Sequence, residues 1–352
     1  MSQAVPASRI LVVGPSWIGD MVMAQSTFIR LRERMPEATI DVLVPPITAT
    51  LAARMPEVDS TVIMDIGHGE FAFGKRRQIA KQLRRAQYDQ AIVLQRSAKA
   101  ALVPWLAGIP KRIGVRGELR YGLINDVRHI DTQRYPRKVE HYALLALEND
   151  CDPLGDLRLP RLTIDPERRR QLVANLSLDC ERPIVGFAPG AAYGGAKQWP
   201  AAHFAQLAAA LDARGIAVWI FGSAPDRALA ARLAAAAPRH GVNLCERTSL
   251  TDIADLASLT ATFIGNDTGV MHLAAATAAR VIAIYGSTDP DYAPPLAARE
   301  ARFWLGLACS PCRERVCPLG HNNCMRDIRV ADVLSACLDE QTEGLHGLHY
   351  AN

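Results

Sequence analysis

Short apolar runs alternate with longer stretches of helical periodicity through the first half of the chain. The first run, 9–14, ends in Gly14 and is followed by a helical pattern that continues to Arg34. Three more strand-like runs follow, at 39–44, 60–65 and 89–94. Strands that alternate with helices in this way predict a parallel sheet covered by helices on both faces.

The second half repeats this rhythm. Strand-like runs lie at 183–188, 216–221, 261–265 and 280–286, and helical patterns at 201–214, 226–237, 252–258 and 269–279. Asp267 and Thr268 are the expected caps of the last of these helices.

The length of 352 residues also favours two domains, because single hydrophobic cores stop growing near ~250–300 residues. A Pro- and charge-containing stretch at 157–166 is the expected linker. We therefore predict two Rossmann-like α/β domains, 1–178 and 179–352, facing across a cleft. The last helix is a candidate to pack back on the first domain. Ligands of such sheets bind beyond the carboxyl ends of the strands.

Composition excludes disordered and fibrous classes, with 49% hydrophobic and 22% charged residues. The longest apolar stretch, 268–287, contains His272 and Arg280, which favours a buried helix and strand over a membrane span. No basic region leads into an apolar run at the N-terminus, so we expect no secretory signal and a cytoplasmic location.

The positive charge is concentrated between Lys75 and Arg120, where twelve basic residues accompany only two acidic ones. A solvated helix face is the simpler interpretation. The alternative is a surface for an anionic partner, either nucleic acid, a phosphorylated glycolipid or an acidic membrane. No aromatic platform is interleaved with these charges, which disfavours single-stranded nucleic acid.

The loop after the first strand places Asp20 near the start of the first helix. Its spacing from Gly14 to Gly19 resembles a P-loop, but Asp20 and Met21 stand where that motif needs Lys and Ser or Thr. No Rossmann glycine fingerprint is present either. Asp20 is thus either a general base beside a ligand or a favourable charge at a helix terminus.

Three loops of the second half end strands and carry polar side chains. The loop 189–200 combines small residues with Lys197, which suits a phosphate. The loop 221–226 ends in Asp226, a candidate ribose contact, and 265–272 carries His272 one turn into a helix. A solvated lysine and a core histidine are the corresponding structural interpretations.

Four segments together resemble glycosyltransferase family nine. They are GPSWIGDMVMAQS, GAAYGGAKQWP, FGSAPD and GNDTGVMHLAAA, while RYGLINDVR and PLGH resemble the members that add a second heptose. The resemblance implies a GT-B fold and heptose transfer from ADP-heptose to the first heptose of the Kdo–lipid A inner core of lipopolysaccharide, with inversion. It also implies a place at the inner face of the inner membrane, and no nucleic-acid partner.

The resemblance also implies residue roles. Asp20 matches the catalytic base and Lys197 the diphosphate-binding lysine, so no metal is required for catalysis. The implied donor-binding residues are Ala192, Tyr193, Lys197, Asp226, Thr248, Asp267, Thr268, Gly269 and His272. Two of the three positions 192, 193 and 248 lack the expected side chain, so backbone contacts are expected there. The basic stretch supplies the expected acceptor contacts, which are Arg76, Arg96, Lys99, Arg112, Arg116 and Arg120.

Eight cysteines fall into two groups. Four lie within sixteen positions, close to His321, and such spacing suits a structural zinc ion or iron–sulfur cluster; they are Cys309, Cys312, Cys317 and Cys324. The scattered remainder are expected to be small buried apolar residues; they are Cys151, Cys180, Cys245 and Cys337.

Three alternatives remain at this point. The nearest is another heptosyltransferase or glycosyltransferase of the same family with a different sugar or acceptor. A sugar-nucleotide epimerase or hydrolase on the same scaffold would need further acid and base groups. A non-catalytic nucleotide-binding module would not need Asp20.

Overall fold

The computed structural model describes residues 8–67, 69–150, 152–277 and 279–339. The chain forms two compact units that divide between Arg158 and Leu159. The sequence placed this division later, between 178 and 179. Helix α6 (Pro166–Asn175) belongs to the second unit, although Leu172 is its only buried residue. Polar contacts join it to helix α9 (Leu250–Ala257), from Asp165 to Asp255 and from Arg168 to Asp252. A pattern of apolar residues does not predict contacts of this kind.

The first unit is a six-stranded parallel sheet with strand order β3-β2-β1-β4-β5-β6. Its strands are β1 (Arg9–Val13), β2 (Thr39–Val44), β3 (Ser60–Ile63), β4 (Gln90–Val93), β5 (Lys111–Val115) and β6 (Asp126–Arg128). Its helices are α1 (Ile18–Arg34), α2 (Pro46–Ala52), α3 (Phe73–Arg84), α4 (Ala98–Leu106) and α5 (Lys138–Leu144).

The second unit has the same strand order when its sheet is read from the edge at β9, as β9-β8-β7-β10-β11-β12. Its strands are β7 (Ile184–Ala188), β8 (Ala217–Ile220), β9 (Gly241–Asn243), β10 (Thr262–Asn266), β11 (Arg280–Ile284) and β12 (Glu300–Phe303). Besides α6 and α9, its helices are α7 (Ala201–Asp212), α8 (Arg227–Ala236), α10 (Gly269–Ala275), α11 (Asn323–Arg326) and α12 (Val330–Leu338).

The predicted parallel α/β architecture is confirmed in both units. The central strands read as continuous apolar runs because both faces of a parallel sheet are covered, and Ile10 to Val13 of β1 are fully buried. Helix α12 packs against α7 and β11 of the second unit. Within the described ranges, no helix is long and apolar enough to span a membrane, and 268–287 forms α10 and β11 as expected.

Each sheet reverses its strand order between two neighbouring strands, β1 and β4 in the first unit and β7 and β10 in the second. The loops that leave these two strands run in opposite directions, which opens a crevice at the carboxyl edge of the sheet. The residues after these four strands therefore form the natural ligand site of each unit.

Candidate active site

Asp20 lies in the first turn of α1, but it does not cap the helix. The N-cap residue is Trp17, and no side chain caps the helix there. The carboxylate instead accepts a hydrogen bond of 2.7 Å from Lys138 Nζ. The two side chains keep 22% and 25% of their surface exposed, so water and a ligand can reach the pair. Asp20 is therefore an accessible carboxylate held by one cation.

Lys138 is the first residue of α5, and α5 is fixed on α1 by two buried hydroxyls. Ser26 Oγ donates to the carbonyl of Val139 at 3.0 Å, and Thr27 Oγ1 donates to that of Tyr142 at 2.9 Å. These contacts set the position of Lys138 relative to Asp20. Sequence reasoning missed Lys138 because it lies 118 positions from Asp20. Ser26 and Thr27, which are polar residues at buried positions of α1, could have indicated that this helix packs against main-chain carbonyls of another segment.

Gln95 joins the ends of β1 and β4 at the crevice of the first unit. Its Nε2 donates to the carbonyl of Gly14 at 2.8 Å. Gly14 itself is required by packing, because a Cβ there would lie 2.6 Å from Val44 Cγ1.

Three of the six predicted acceptor-binding residues are arginines with structural contacts. Arg76 and Arg120 are only 3% and 4% exposed, and Arg112 is half-buried. Their guanidinium groups donate to main-chain carbonyls, for example from Arg76 Nε to Phe71 at 2.7 Å and from Arg112 Nε to Leu123 at 2.7 Å. Burial lowers the pKa of all three. These groups are not available to an acceptor.

The other three predicted acceptor residues remain accessible. Arg96 and Arg116 are exposed, and Lys99 is half-buried. Burial lowers the pKa of His141 on α5, a main-chain hydrogen bond to Tyr135 opposes this, and the charges of Arg96 and Lys138 lower it further. Arg96 follows β4 and Asp20 follows β1, so both lie at the carboxyl edge of the first sheet.

Lys197 and Asp267 form the corresponding pair of the second unit. Lys197 lies in the short 3₁₀ turn Gly195–Lys197, and its Nζ donates to Asp267 Oδ2 at 2.6 Å. Thr288 Oγ1 donates to the same oxygen at 2.7 Å, and His272 Nε2 lies 3.5 Å from Oδ1. Burial alone would raise the pKa of Asp267. The hydrogen bond from His272 and the charge of Lys197 outweigh it and hold that pKa well below its usual range.

Thr268 caps α10, as predicted, while Asp267 does not. The Thr268 hydroxyl accepts from the Met271 amide at 3.4 Å, and Gly269 is the first residue of the helix. Asp267 is directed to Lys197 instead. Strand β10 ends at Asn266. The buried Asp267 follows it and comes directly before the Thr268 cap of α10.

Asn266 joins the ends of β7 and β10, in the manner of Gln95 in the first unit. Its Nδ2 donates to the carbonyl of Pro189 at 2.8 Å, and its Oδ1 accepts from the Trp199 amide at 3.0 Å. Asn266 is fully buried. It therefore fixes both ends of the loop that carries Lys197, a role that sequence reasoning did not assign.

Asp226 lies against the start of that loop. Its Oδ2 accepts from the amide and hydroxyl of Ser223, both at 2.9 Å. A Cβ on Gly190 would lie 2.3 Å from Asp226 Oδ1, so the glycine lets this carboxylate lie against the loop. The Thr248 hydroxyl donates to the Leu244 carbonyl at 3.1 Å and is thus engaged within its own turn.

Tyr193 connects the loop to the cysteine-rich segment. Its hydroxyl donates to the Arg313 carbonyl at 2.8 Å, and Lys197 Nζ lies 5.0 Å from its ring centroid. The guanidinium carbon of Arg315 lies 5.1 Å from the same centroid. Neighbouring Ala192 is exposed. The aromatic ring therefore limits the positions that the lysine ammonium group can occupy.

The four clustered cysteines line one small cavity of about 10 Å³, together with His321. Burial and the three neighbouring thiols raise the pKa of Cys324 to about 11. Over the described ranges, however, no three His, Cys, Asp or Glu side chains are spaced to hold a metal ion as they stand.

Among the scattered cysteines, Cys245 is buried as predicted, the prediction is wrong for exposed Cys180, and Cys151 lies outside the described residues.

Residues 76–322 match the family described as glycosyltransferase family 9 (heptosyltransferase). The chain belongs to this family. It is 40% identical to lipopolysaccharide heptosyltransferase 2 of Escherichia coli, with 94% of this chain and 98% of that protein covered. It is 42% identical to lipooligosaccharide heptosyltransferase 2 of Haemophilus influenzae, covering 82% of this chain and 86% of that protein.

The solved structure of E. coli ADP-heptose LPS heptosyltransferase II is similar over nearly its whole length. The TM-score is 0.82 at 38% identity, with 93% of this chain and 96% of that chain covered. The predicted GT-B class, with two Rossmann-like units, is thereby confirmed.

Proposed function

We propose that this family 9 member transfers heptose from ADP-heptose to the first heptose of the Kdo–lipid A inner core of lipopolysaccharide. The observation that carries the proposal is the 40% identity to a lipopolysaccharide heptosyltransferase 2 over nearly the full length of both chains. The two lysine–aspartate pairs supply groups suited to this chemistry: an accessible carboxylate in one unit and a fixed ammonium group in the other.

In the proposed reaction, Asp20 accepts the proton of the acceptor hydroxyl while the oxygen of that hydroxyl bonds to the anomeric carbon. The bond from that carbon to the donor diphosphate breaks, the electron pair leaves with ADP, and the configuration inverts. Positive charge builds on the sugar ring in the oxocarbenium-like transition state. Lys197 would stabilise the negative charge that develops on the diphosphate.

The second unit is the proposed donor-binding domain. Asp226 lies against Gly190 at the start of the loop 189–200 and suits the ribose diol. Further donor contacts are proposed for the backbone of Ala192, Tyr193 and Thr248. Asp267 would hold Lys197 in place, with Thr268, Gly269 and His272 beside it. The first unit is the proposed acceptor-binding domain. Its accessible cations would meet the phosphates and carboxylates of the acceptor; they are Arg96, Lys99 and Arg116.

The cysteine cluster is proposed as a structural site for zinc or an iron–sulfur cluster, because its four thiols line one cavity. The thiol side chains must rotate towards a common point to bind it. The surrounding segment, 304–322, contains no helix or strand, yet its Arg313 and Arg315 carbonyls accept from Tyr193 and Ala196. A metal centre here would therefore stiffen the support of the donor loop.

Elemental analysis of purified protein should find zinc or iron, and Cys312→Ser should lower Tm more than it lowers kcat. Cys180→Ser, which alters an exposed thiol, is the control and should change neither. Metal-free protein with a Tm that Cys312→Ser leaves unaltered would refute the structural metal centre.

Transferase function is tested by incubating the protein with ADP-heptose and lipopolysaccharide truncated after the first heptose. ADP release that requires the acceptor, together with a product one heptose heavier, is the expected result. An epimerase would convert the donor without the acceptor, and a hydrolase would release ADP without it. Transfer only to a different acceptor would indicate another activity of the same family.

A further inference from the structure

One face of α3 carries an unbalanced row of cations. Arg77, Lys81, Arg84 and Arg85 recur at helical spacing and are all exposed. The opposite face packs into the core of the first unit through Ile79 and other apolar residues. In the part of the chain that the structure describes, none of the four cations has a carboxylate within ion-pair distance. The row therefore offers its full charge to a partner.

Two exposed phenylalanines lie at the start of this row. Phe71 is 59% and Phe73 is 48% exposed, and their rings stack with centroids 6.2 Å apart. Ala72 between them has a φ of 42°, a conformation that L residues rarely adopt, and this turn places both rings together. At the other end, Arg84 donates to the Leu106 carbonyl, and neighbouring Trp105 is 46% exposed.

Apolar aromatic rings beside unpaired cations match the chemistry of an anionic lipid bilayer. Lys and Arg attract acidic headgroups, while Phe and Trp enter the boundary between headgroups and acyl chains. Because α3 follows β3, its aromatic end lies at the carboxyl edge of the sheet, the edge at which Asp20 lies. A bilayer bound there would present a lipid-anchored acceptor on the side of the catalytic crevice.

We infer that the exposed face of α3, with Phe71 and Phe73, docks the first unit on an anionic bilayer. The inference rests on the proposed function only for the lipid-anchored nature of the acceptor. The docking surface consists of Phe71, Phe73, Arg77, Lys81, Arg84 and Arg85. It is distinct from the acceptor cations Arg96 and Arg116, which lie outside α3.

Co-sedimentation with vesicles tests the docking surface without donor or acceptor. The full chain should bind phosphatidylcholine vesicles that contain phosphatidylglycerol and should bind pure phosphatidylcholine weakly. The variant Arg77→Gln/Lys81→Gln/Arg85→Gln should lower the partition coefficient about a hundredfold, at about fivefold per cation. Added salt should weaken the wild type more than this variant, because screening acts on the charges.

Two further variants separate the contributions. Phe71→Ser/Phe73→Ser should lower binding about tenfold or more, and this loss should persist at high salt because it concerns buried apolar area. The matched control removes three exposed arginines of the second unit, as Arg214→Gln/Arg232→Gln/Arg247→Gln. Binding of this control should stay within about twofold of wild type, since its charges lie outside the docking surface.

Transfer rates distinguish failure of docking from failure of the proposed function. The α3 variant should be slower on acceptor embedded in anionic vesicles and unchanged on detergent-dispersed acceptor. Three results would overturn the inference: wild-type protein that does not prefer anionic vesicles, a control that loses as much binding as the α3 variant, or a homopolymeric RNA that binds the α3 face more tightly than the vesicles. The last result would assign the face to nucleic acid.

Discussion

The two crevices of this molecule use the same pair of residue types in opposite ways. In each, a lysine ammonium group meets an aspartate, at 2.7 Å in the first unit and 2.6 Å in the second. In each, a side-chain amide from one strand end donates to the main chain after the neighbouring strand, from Gln95 to Gly14 and from Asn266 to Pro189. The shared strand order explains this correspondence, because it brings equivalent loops together.

The difference lies in which partner is anchored. Asp267 is 9% exposed and has contacts from Thr288 and His272 besides Lys197, so it is a fixed anion that orients a cation. Asp20 is 22% exposed and is held by Lys138 alone among the described residues. A carboxylate with spare acceptor capacity can take a proton, whereas one engaged on every side can only hold a neighbour. This difference supports the proposal that the first pair takes part in proton transfer and the second in charge stabilisation.

The sharpest test of this comparison is Asp20→Asn, which preserves size and hydrogen bonding but removes the proton acceptor. We expect kcat to fall by about 10²–10⁴, the usual range for loss of a general base, with ADP affinity unchanged. Stopped turnover assays and calorimetry with ADP measure the two quantities.

The control for this variant is Asp332→Asn, because Asp332 also lies in a first helical turn and also pairs with a cation, Arg329, at 2.7 Å. It should leave kcat unaltered. Turnover of Asp20→Asn within a few-fold of wild type would return Asp20 to the role of a helix-terminal charge.

Lys197→Ala should produce the next largest effect, of about 10²-fold in kcat, comparable to loss of an oxyanion donor. ADP affinity should also fall, in contrast to Asp20→Asn, because the diphosphate is present in both donor and product. Thr288→Val, which removes a different partner of Asp267, should have a smaller effect on both quantities. Unchanged ADP affinity in Lys197→Ala would show that the nucleotide does not bind in this crevice.

Most central strands could be predicted from sequence, whereas three of the four edge strands could not. Strands such as β1 and β7 are buried on both faces, so they appear as apolar runs. The missed strands are short or mixed in polarity; they are β5, β6, β9 and β12, of which β5, β6 and β12 include exposed or half-exposed charged residues. Apolar patterning reports burial, and these strands are only partly buried.

The candidate site shows the same limit for charged residues. Asp20 and Lys197 could be chosen because local loops and the family resemblance pointed to them. The basic stretch could not be resolved in the same way, because Arg76 and Arg120 use carbonyls of other segments as partners. No composition or spacing distinguishes an arginine that binds the main chain from one that faces solvent. Lys138 was missed for the complementary reason, since its partner lies far away in the chain.

Lys138→Met should have the smallest effect, because the lysine only orients the group that reacts. We expect kcat to fall about tenfold, which corresponds to ~1.4 kcal/mol of lost orientation, and ADP affinity to stay at the wild-type level. Stability should change little, since a partly exposed ion pair contributes at most ~1 kcal/mol. Lys138→Arg keeps the charge and should recover part of the rate.

The control is Lys111→Met, which breaks another lysine–aspartate pair of the same unit, with Asp126 at 3.4 Å. Equal loss of activity in Lys111→Met, or loss of ADP affinity in Lys138→Met, would show that the first pair is not a positioning device for Asp20.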